Sequence, residues 1–269
     1  MDTENTKIGF IGCGSMGSAI IHAVCKKFNP QNIKISAKHF EHAKKVADAE
    51  NCIAAASNAE AANGSKYIFL AVKPVHIKEI IDEIKKNISD DAVLISMAPG
   101  ITLKELSEKY DAPYVRIMPN VGAKVSQSMT ALAYSEEVSQ EDLNGVKEIL
   151  AAAGKVETVD EKLMSCVTAV SGSGTAYAFV FIEALADAAV RFGMPRKEAH
   201  IYASQTLKGA AEMVLSGGDS PAVLKDSVCS PGGTTIEGIA ALERFGFRNS
   251  IIEAVSAAFK KSSEISIMR

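Results

Sequence analysis

Gly12-Cys13-Gly14-Ser15-Met16-Gly17 sets three glycines at G-x-G-x-x-G spacing, directly after the apolar run Ile8–Ile11 and before a helical stretch through Ile20, Ile21 and Val24. In that context each glycine has a task. The first permits a tight turn, the second lets the backbone approach a pyrophosphate, and the third allows close helix packing. Backbone N–H groups at the helix start then attract phosphate charge. The chemistry implied is dinucleotide binding, with Cys13 a small buried filler within the loop.

A second strand, Ile33–Ser36, ends in Ser36-Ala37-Lys38. An NAD site usually places an acid about 20 residues beyond the glycines, on the ribose 2′-hydroxyl. A hydroxyl followed by a cation suits a 2′-phosphate instead. NADPH is therefore the expected cofactor, NADH the alternative, and Lys44 and Lys45 are auxiliaries. Two more strands end in Ala71-Val72-Lys73-Pro74 and Ser96-Met97-Ala98-Pro99-Gly100. Ligands gather outside the carboxyl ends of such strands. The proline after Lys73 marks a shaped turn, so positioning is favoured over proton transfer for that residue.

Two runs of small residues lead into helical segments further along: Ser171-Gly172-Ser173-Gly174-Thr175 and Ser230-Pro231-Gly232-Gly233-Thr234-Thr235. Read as loops, they expose backbone N–H groups, add hydroxyl donors and sit at positive helix ends, which suits a carboxylate. Plain connections with helix caps are the alternative. Neither run contains histidine, so acid/base chemistry is not their evident purpose. Glu183 and Asp187 read as a solvated or salt-bridged stripe.

These groups need a scaffold. Strand and helix signals alternate through the first half, with strands at 8–11, 33–36, 67–72, 93–97 and 114–117 and helices at 41–50 and 77–88, which predicts a doubly wound, parallel sheet of Rossmann-like type. Beyond 154–160 only helical segments follow, at 161–170, 175–192, 196–216, 234–245 and 248–262. The expected division is residues 1–160, binding NADP, and 161–269, an all-α unit binding substrate and dimerising. The 175–192 helix is apolar nearly all round, and a small helical unit struggles to bury it alone, so a homodimer is expected.

With 29 basic and 32 acidic residues interleaved, no basic tract offers itself to nucleic acid or anionic lipid. The polar start, Met1 to Lys7, lacks the features of a secretion signal, and no apolar stretch reads as a bilayer span, so the cytoplasm is the expected location. Five scattered cysteines without paired spacing argue against a disulfide framework or a zinc cage, and no metal is expected.

Through nearly its whole length the chain resembles the pyrroline-5-carboxylate reductase family. The likeness is carried by Ile11-Gly12-Cys13-Gly14-Ser15-Met16-Gly17, Ala71-Val72-Lys73-Pro74, Arg116-Ile117-Met118-Pro119-Asn120, Ser171-Gly172-Ser173-Gly174 and, most specifically, Leu224 to Ile236. The resemblance implies a homodimer, often further assembled, that reduces 1-pyrroline-5-carboxylate to L-proline as the last step of proline synthesis. It places cofactor contacts on the glycine loop, Ser36, Lys38, Asn58, Ala71 to Pro74 and Met97 to Pro99. It places the substrate carboxylate on Ser230, Gly232, Gly233, Thr234 and Thr235, with Val228 beside the ring and Glu161 and Thr168 nearby. Thr235 is the catalytic candidate, its hydroxyl near the imine nitrogen. Thr175 replaces a usual proline and Ser227 a common asparagine. Related dehydrogenases of β-hydroxyacids need a lysine base after the serine-glycine run, and residues 175–192 contain none. A six-membered cyclic imine and a non-catalytic dinucleotide sensor are the remaining alternatives.

Overall fold

In the computed structural model, residues 2–267 are described, with side chains as far as 264. The chain divides into two compact units: the first takes residues up to Gly172 together with the chain from Phe259 on, and the second takes Ser173–Ala258.

The first unit is built on eight strands: β1 (Ile8–Ile11), β2 (Ile33–Ser36), β3 (Ile53–Ala54), β4 (Tyr67–Leu70), β5 (Val93–Ser96), β6 (Tyr114–Met118), β7 (Ser128–Tyr134) and β8 (Gly154–Thr158). Their order in the sheet is β3-β2-β1-β4-β5-β6-β7-β8, parallel throughout except where β6 meets β7. Helices α1 (Ser15–Cys25), α2 (Phe40–Glu50), α3 (Asn58–Ala62), α4 (Ile77–Ile84), α5 (Leu103–Ser107) and α6 (Gln140–Ala151) connect them. Because successive side chains of a strand point to opposite faces, β1 and β4 feed two separate cores. Phe10 and Phe69 stack at 4.6 Å on one face among Ile20, Ile21, Val24, Val146 and Ile149. Ile11, Ile68 and Leu70 meet Ile80, Ile81 and Ile84 of α4 on the other. Strands buried on both sides read as continuous apolar runs, which is why β1, β4 and β5 stand out in the sequence.

Several elements differ from expectation. β7, spelled Ser-Met-Thr-Ala-Leu-Ala-Tyr, carries small and polar residues whose alternation is muted, and β8 is a polar edge strand. Neither is read from the sequence, and β8 falls within the stretch taken as the transition to helix. α4 stops at Ile84, short of the expected residue 88. Residues 168–172 form a π turn, and α8 (Gly174–Arg191) starts two residues later, so the first serine-glycine run is not a loop. Such turns leave a helix locally widened and recur at functional sites.

The second unit is helical: α8, α9 (Arg196–Ser216), α10 (Pro221–Ser227), α11 (Thr234–Arg244) and the first half of α12 (Phe247–Ile267), while α7 (Met164–Val167) belongs to the first unit. α8 and α9 approach closely through alanines, with Ala186, Ala199 and Ala203 buried at their contact. Enlarging Ala186 to leucine should therefore overpack that contact and lower stability by about 1–3 kcal/mol, read as a drop in the thermal midpoint. Phe181 packs on Phe247 at 5.7 Å and the Tyr177 hydroxyl donates to the Ala254 carbonyl at 3.3 Å. Elsewhere α8 is apolar yet uncovered within its chain: Phe179 is 62% and Val180 65% exposed. Among the described residues one helical run, 161–191, is long and apolar enough to cross a membrane by length and composition. Sequence reading takes no stretch as a span; the all-round apolarity of α8 produces this one.

Candidate cofactor and substrate site

β1 sits between β2 and β4, so the chain leaves it on one side and returns on the other, opening a crevice at the carboxyl ends. The glycine loop lies there. Gly12 has φ +97°, a conformation L side chains rarely adopt, and a Cβ added to it would lie 2.4 Å from the Ala71 carbonyl oxygen. At Gly17 an added Cβ would come within 2.7 Å of the Gly12 carbonyl, so the helix seats tightly under the loop. Gly14 differs: its Cβ would meet nothing within 4 Å. The protein leaves free the space that a pyrophosphate against this backbone would take, and no side chain caps α1. The residues present thus fit a dinucleotide.

Two cavities flank the loop. One of about 400 Å³ is lined by Gly14, Ser15, Met16, Gly17, Ala71, Val72, Lys73, Pro74, Met97 and Pro99, with Met118 and Pro119 of the β6 end. The other, of about 240 Å³, is lined by Gly12, Lys38, Asn58 and Val72 with Ala37, His76, Ile80 and two acids of α4, Glu79 and Glu83. Cys13, Ser36 and Ala98 stand behind these walls, buried. Burial pushes the Cys13 thiol up, in keeping with a filler rather than a reactive group. Ser36 donates to Asn58 Oδ1 at 2.8 Å, and Asn58 Nδ2 donates to Glu83 Oε2 at 2.7 Å. His42 Nε2 donates to the Cys13 carbonyl at 3.0 Å, bracing the loop from α2. Lys38, Lys44 and Lys45 are exposed. A wider cleft of about 910 Å³ lies at the opposite strand ends among Lys66, Tyr67, Asp91 and Asp142, away from the glycine loop. Burial, then the Asp142, Glu141 and Asp91 charges, push Tyr67 up to about 12 there.

The residues expected near the substrate divide between the units. In the first, Glu161 accepts at one oxygen from the Leu103 amide at 2.7 Å and from Arg116 Nη1 at 2.9 Å. Arg116 is 7% exposed at its side chain, and its Nε has no partner. Thr168 turns its hydroxyl onto the Met164 carbonyl of its own helix at 2.8 Å. Asn120, at the end of β6, caps the next turn through Gly122 and donates to Ser171 at 3.1 Å, tying the π turn to the sheet. In the second unit, Gly232 has φ +68°, and Gly233 passes so near Ser230 that a Cβ would lie 2.2 Å from its hydroxyl. α11 then starts at Thr234 with no side-chain cap, leaving its first-turn donors to whatever approaches. Val228, Ser230, Thr234 and Thr235 are exposed around that helix end.

Over residues 161–265 the sequence matches the family model described as pyrroline-5-carboxylate reductase dimerisation, and over 7–100 the one described as NADP oxidoreductase, coenzyme F420-dependent. The pyrroline-5-carboxylate reductase of Escherichia coli (strain K12) is 40% identical, with 97% of this chain and 98% of that protein covered. The chain belongs to the pyrroline-5-carboxylate reductase family. Among solved structures, the pyrroline-5-carboxylate reductase of Coxiella burnetii superposes with a TM-score of 0.90 at 32% identity, covering 97% of this chain and 98% of that one. The Plasmodium falciparum pyrroline carboxylate reductase, solved with NADP bound, does so at 0.86 and 32%, over the same shares.

Within this member of the pyrroline-5-carboxylate reductase family, four polar residues at the site escape sequence reading as site residues: Arg116, Asn120, His42 and Glu83. Arg116 carried a signal. It interrupts the buried strand Tyr-Val-Arg-Ile-Met, and a charge inside an apolar strand must find a partner. The other three lie on helices or turns where polar residues are ordinary.

Proposed function

We propose that this protein reduces 1-pyrroline-5-carboxylate to L-proline with NADPH as donor and NADH as the lesser one, the final step of proline biosynthesis. The observation that carries this reading is the 40% identity to a pyrroline-5-carboxylate reductase across 97% of the chain. The glycine loop, Ser36, Lys38, Asn58, Ala71 to Pro74 and Met97 to Pro99 hold the cofactor. When bound, its nicotinamide supplies a hydride. Ser230, Gly232, Gly233, Thr234 and Thr235 hold the substrate carboxylate at the open end of α11, where backbone donors and the helix dipole favour negative charge. Val228 lies beside the ring, with Glu161 and Thr168 as further polar contacts.

Hydride addition at C5 turns the protonated C=N into a secondary amine, so charge and protons balance without a separate acid. Positioning dominates such a step, and holding two reactants in a near-attack geometry is worth roughly 7 to 11 kcal/mol in favourable cases. The carboxylate is the remote handle for it. Thr235 accepts the imine N–H and fixes the ring's orientation. A Thr235→Val variant should fold normally and lose turnover by roughly 100-fold, the scale for one well-placed hydrogen bond in a transition state; unchanged turnover would remove Thr235 from the mechanism. The activity itself is tested by loss of NADPH absorbance with and without pyrroline-5-carboxylate, and a preparation inert to the imino acid ends the proposal.

The exposed apolar surface of α8 supports a homodimer: a second copy of the chain covers Phe179 and Val180, which water would otherwise wet. We assign residues 1–160 to cofactor binding and 161–269 to substrate binding and dimerisation, in the cytoplasm, without a nucleic-acid or membrane partner.

A further inference from the structure

We propose that Cys25 and Cys52 form an oxidative modification site, at which a hydroperoxide converts the two thiols into an intramolecular disulfide, Cys52 attacking the oxidant and Cys25 closing the bond. Neither residue lines the two cavities beside the glycine loop, so the site is separate from the reaction assigned above.

The ends of two helices bring the thiols together. Cys25 is the last residue of α1. α2 ends at Glu50, and Asn51 follows with φ +56°, so that the Asn51 and Cys52 amides both donate to the Ala47 carbonyl, Cys52 at 3.0 Å. A helix closed by a left-handed residue in this way turns the next side chain back onto its own last turn, where an apolar group is usual. Here that group is a thiol, and Cys52 and Cys25 both pack against the core that holds Ile21 and Val24. The helix ends are clamped nearby. His22, one turn before Cys25, meets Glu50 at 2.9 Å, and the Gln31 side chain donates to the Asn51 carbonyl at 2.7 Å. Within this frame the Cys25 thiol donates to Cys52 Sγ. That hydrogen bond holds Cys52 below the usual thiol range, against burial and the Glu50 charge, and together with burial it pushes Cys25 up. Both thiols are partly exposed, whereas Cys13 is 1% exposed.

A thiolate beside a protonated thiol is what a peroxide turns into a disulfide. The Cys52 thiolate attacks one oxygen of hydrogen peroxide, the O–O bond breaks, and hydroxide leaves with the proton that Cys52 had lost, as water. Cys52 is then a sulfenic acid. The Cys25 sulfur attacks the Cys52 sulfur, the S–O bond breaks, and the Cys25 proton departs with the hydroxyl as a second water. Two thiols are oxidised and one peroxide is reduced.

The test treats the native protein, all its cysteines in place, with equimolar hydrogen peroxide, then alkylates it and maps its peptides by mass. The expected product is a Cys25–Cys52 linked peptide, lighter by two hydrogens than the reduced pair and restored by dithiothreitol. The linked protein should melt about 5 °C higher, since the bond restricts the unfolded chain. In Cys25→Ser the sulfenic acid has no thiol to resolve it, and dimedone should label Cys52; in Cys52→Ser, Cys25 should stay unlabelled. Recovery of both residues as separately alkylated thiols overturns the proposal, as does linkage of either to Cys13, Cys166 or Cys229. A linked pair that melts lower than the reduced protein also overturns it, because the bond would then form only after the two helix ends had parted. Label on Cys25 in Cys52→Ser, with none on Cys52 in Cys25→Ser, overturns the assigned roles.

Discussion

Replacing Gly12 with alanine should cost at least 100-fold in affinity for NADP⁺, about 2.8 kcal/mol, and should also lower the stability of the first unit. The backbone there has φ +97°, and the added Cβ would lie 2.4 Å from the Ala71 carbonyl oxygen. That oxygen cannot move aside as a side chain would, because the Ala71 amide donates to the Ile11 carbonyl at 2.8 Å and the Gly12 amide to the Ser36 carbonyl at 2.9 Å, pinning both strands' ends. The loop must therefore shift, and its amides lose their aim. Gly14→Ala supplies the contrast. Its Cβ meets no protein atom within 4 Å, so the fold should be untouched while the methyl occupies the space left for the pyrophosphate. Calorimetric titration with NADP⁺ and a thermal melt of each variant distinguish the cases: both lose affinity, and only Gly12→Ala also loses thermal stability. If Gly14→Ala binds NADP⁺ as the native protein does, the glycines serve the turn alone and the assignment of this loop to the cofactor is wrong.

The contrast shows why some of the architecture is legible in the sequence and some is not. A strand buried on both faces is apolar at nearly every position, so Tyr67–Leu70 and Val93–Ser96 announce themselves. β7 buries five of its seven residues with serine, threonine, alanines and one leucine, and its composition matches a loop or helix equally well. The glycine loop is legible because its conformation excludes other residues. The conformation of the serine-glycine run at 171–175 is illegible for a related reason: small residues permit a loop and a π turn alike, and the turn is tied to the sheet by Asn120, 51 positions away in sequence, donating to Ser171. Contacts of that range, like Arg116 with Glu161 or Asn58 with Glu83, leave no periodic trace. They join residues brought together only after the sheet has formed.

The Arg116–Glu161 pair yields the second large effect. Arg116 is nearly enclosed in the middle of β6, its Nε already without a partner, and its Nη1 bond at 2.9 Å goes to Glu161, itself 28% exposed. Removing the acid strands a buried cation, and breaking such a pair from one side typically costs about 3–5 kcal/mol. Because water reaches Glu161, the lower end applies, and Glu161→Ala should destabilise the protein by about 3 kcal/mol in urea unfolding. Glu161→Gln keeps an Oε1 acceptor for both Arg116 and the Leu103 amide, so most of that loss should be recovered, to within about 1.5 kcal/mol of the native protein. Turnover then separates structure from chemistry. If Glu161 only anchors Arg116, the glutamine variant recovers activity along with stability. If its charge meets the imino acid, stability returns while KM for pyrroline-5-carboxylate stays raised, and that split is the expected result. An alanine variant within about 0.5 kcal/mol of the native protein would mean that Arg116 finds another partner once Glu161 is gone, and that the surroundings of β6 are softer than a buried, half-satisfied guanidinium implies.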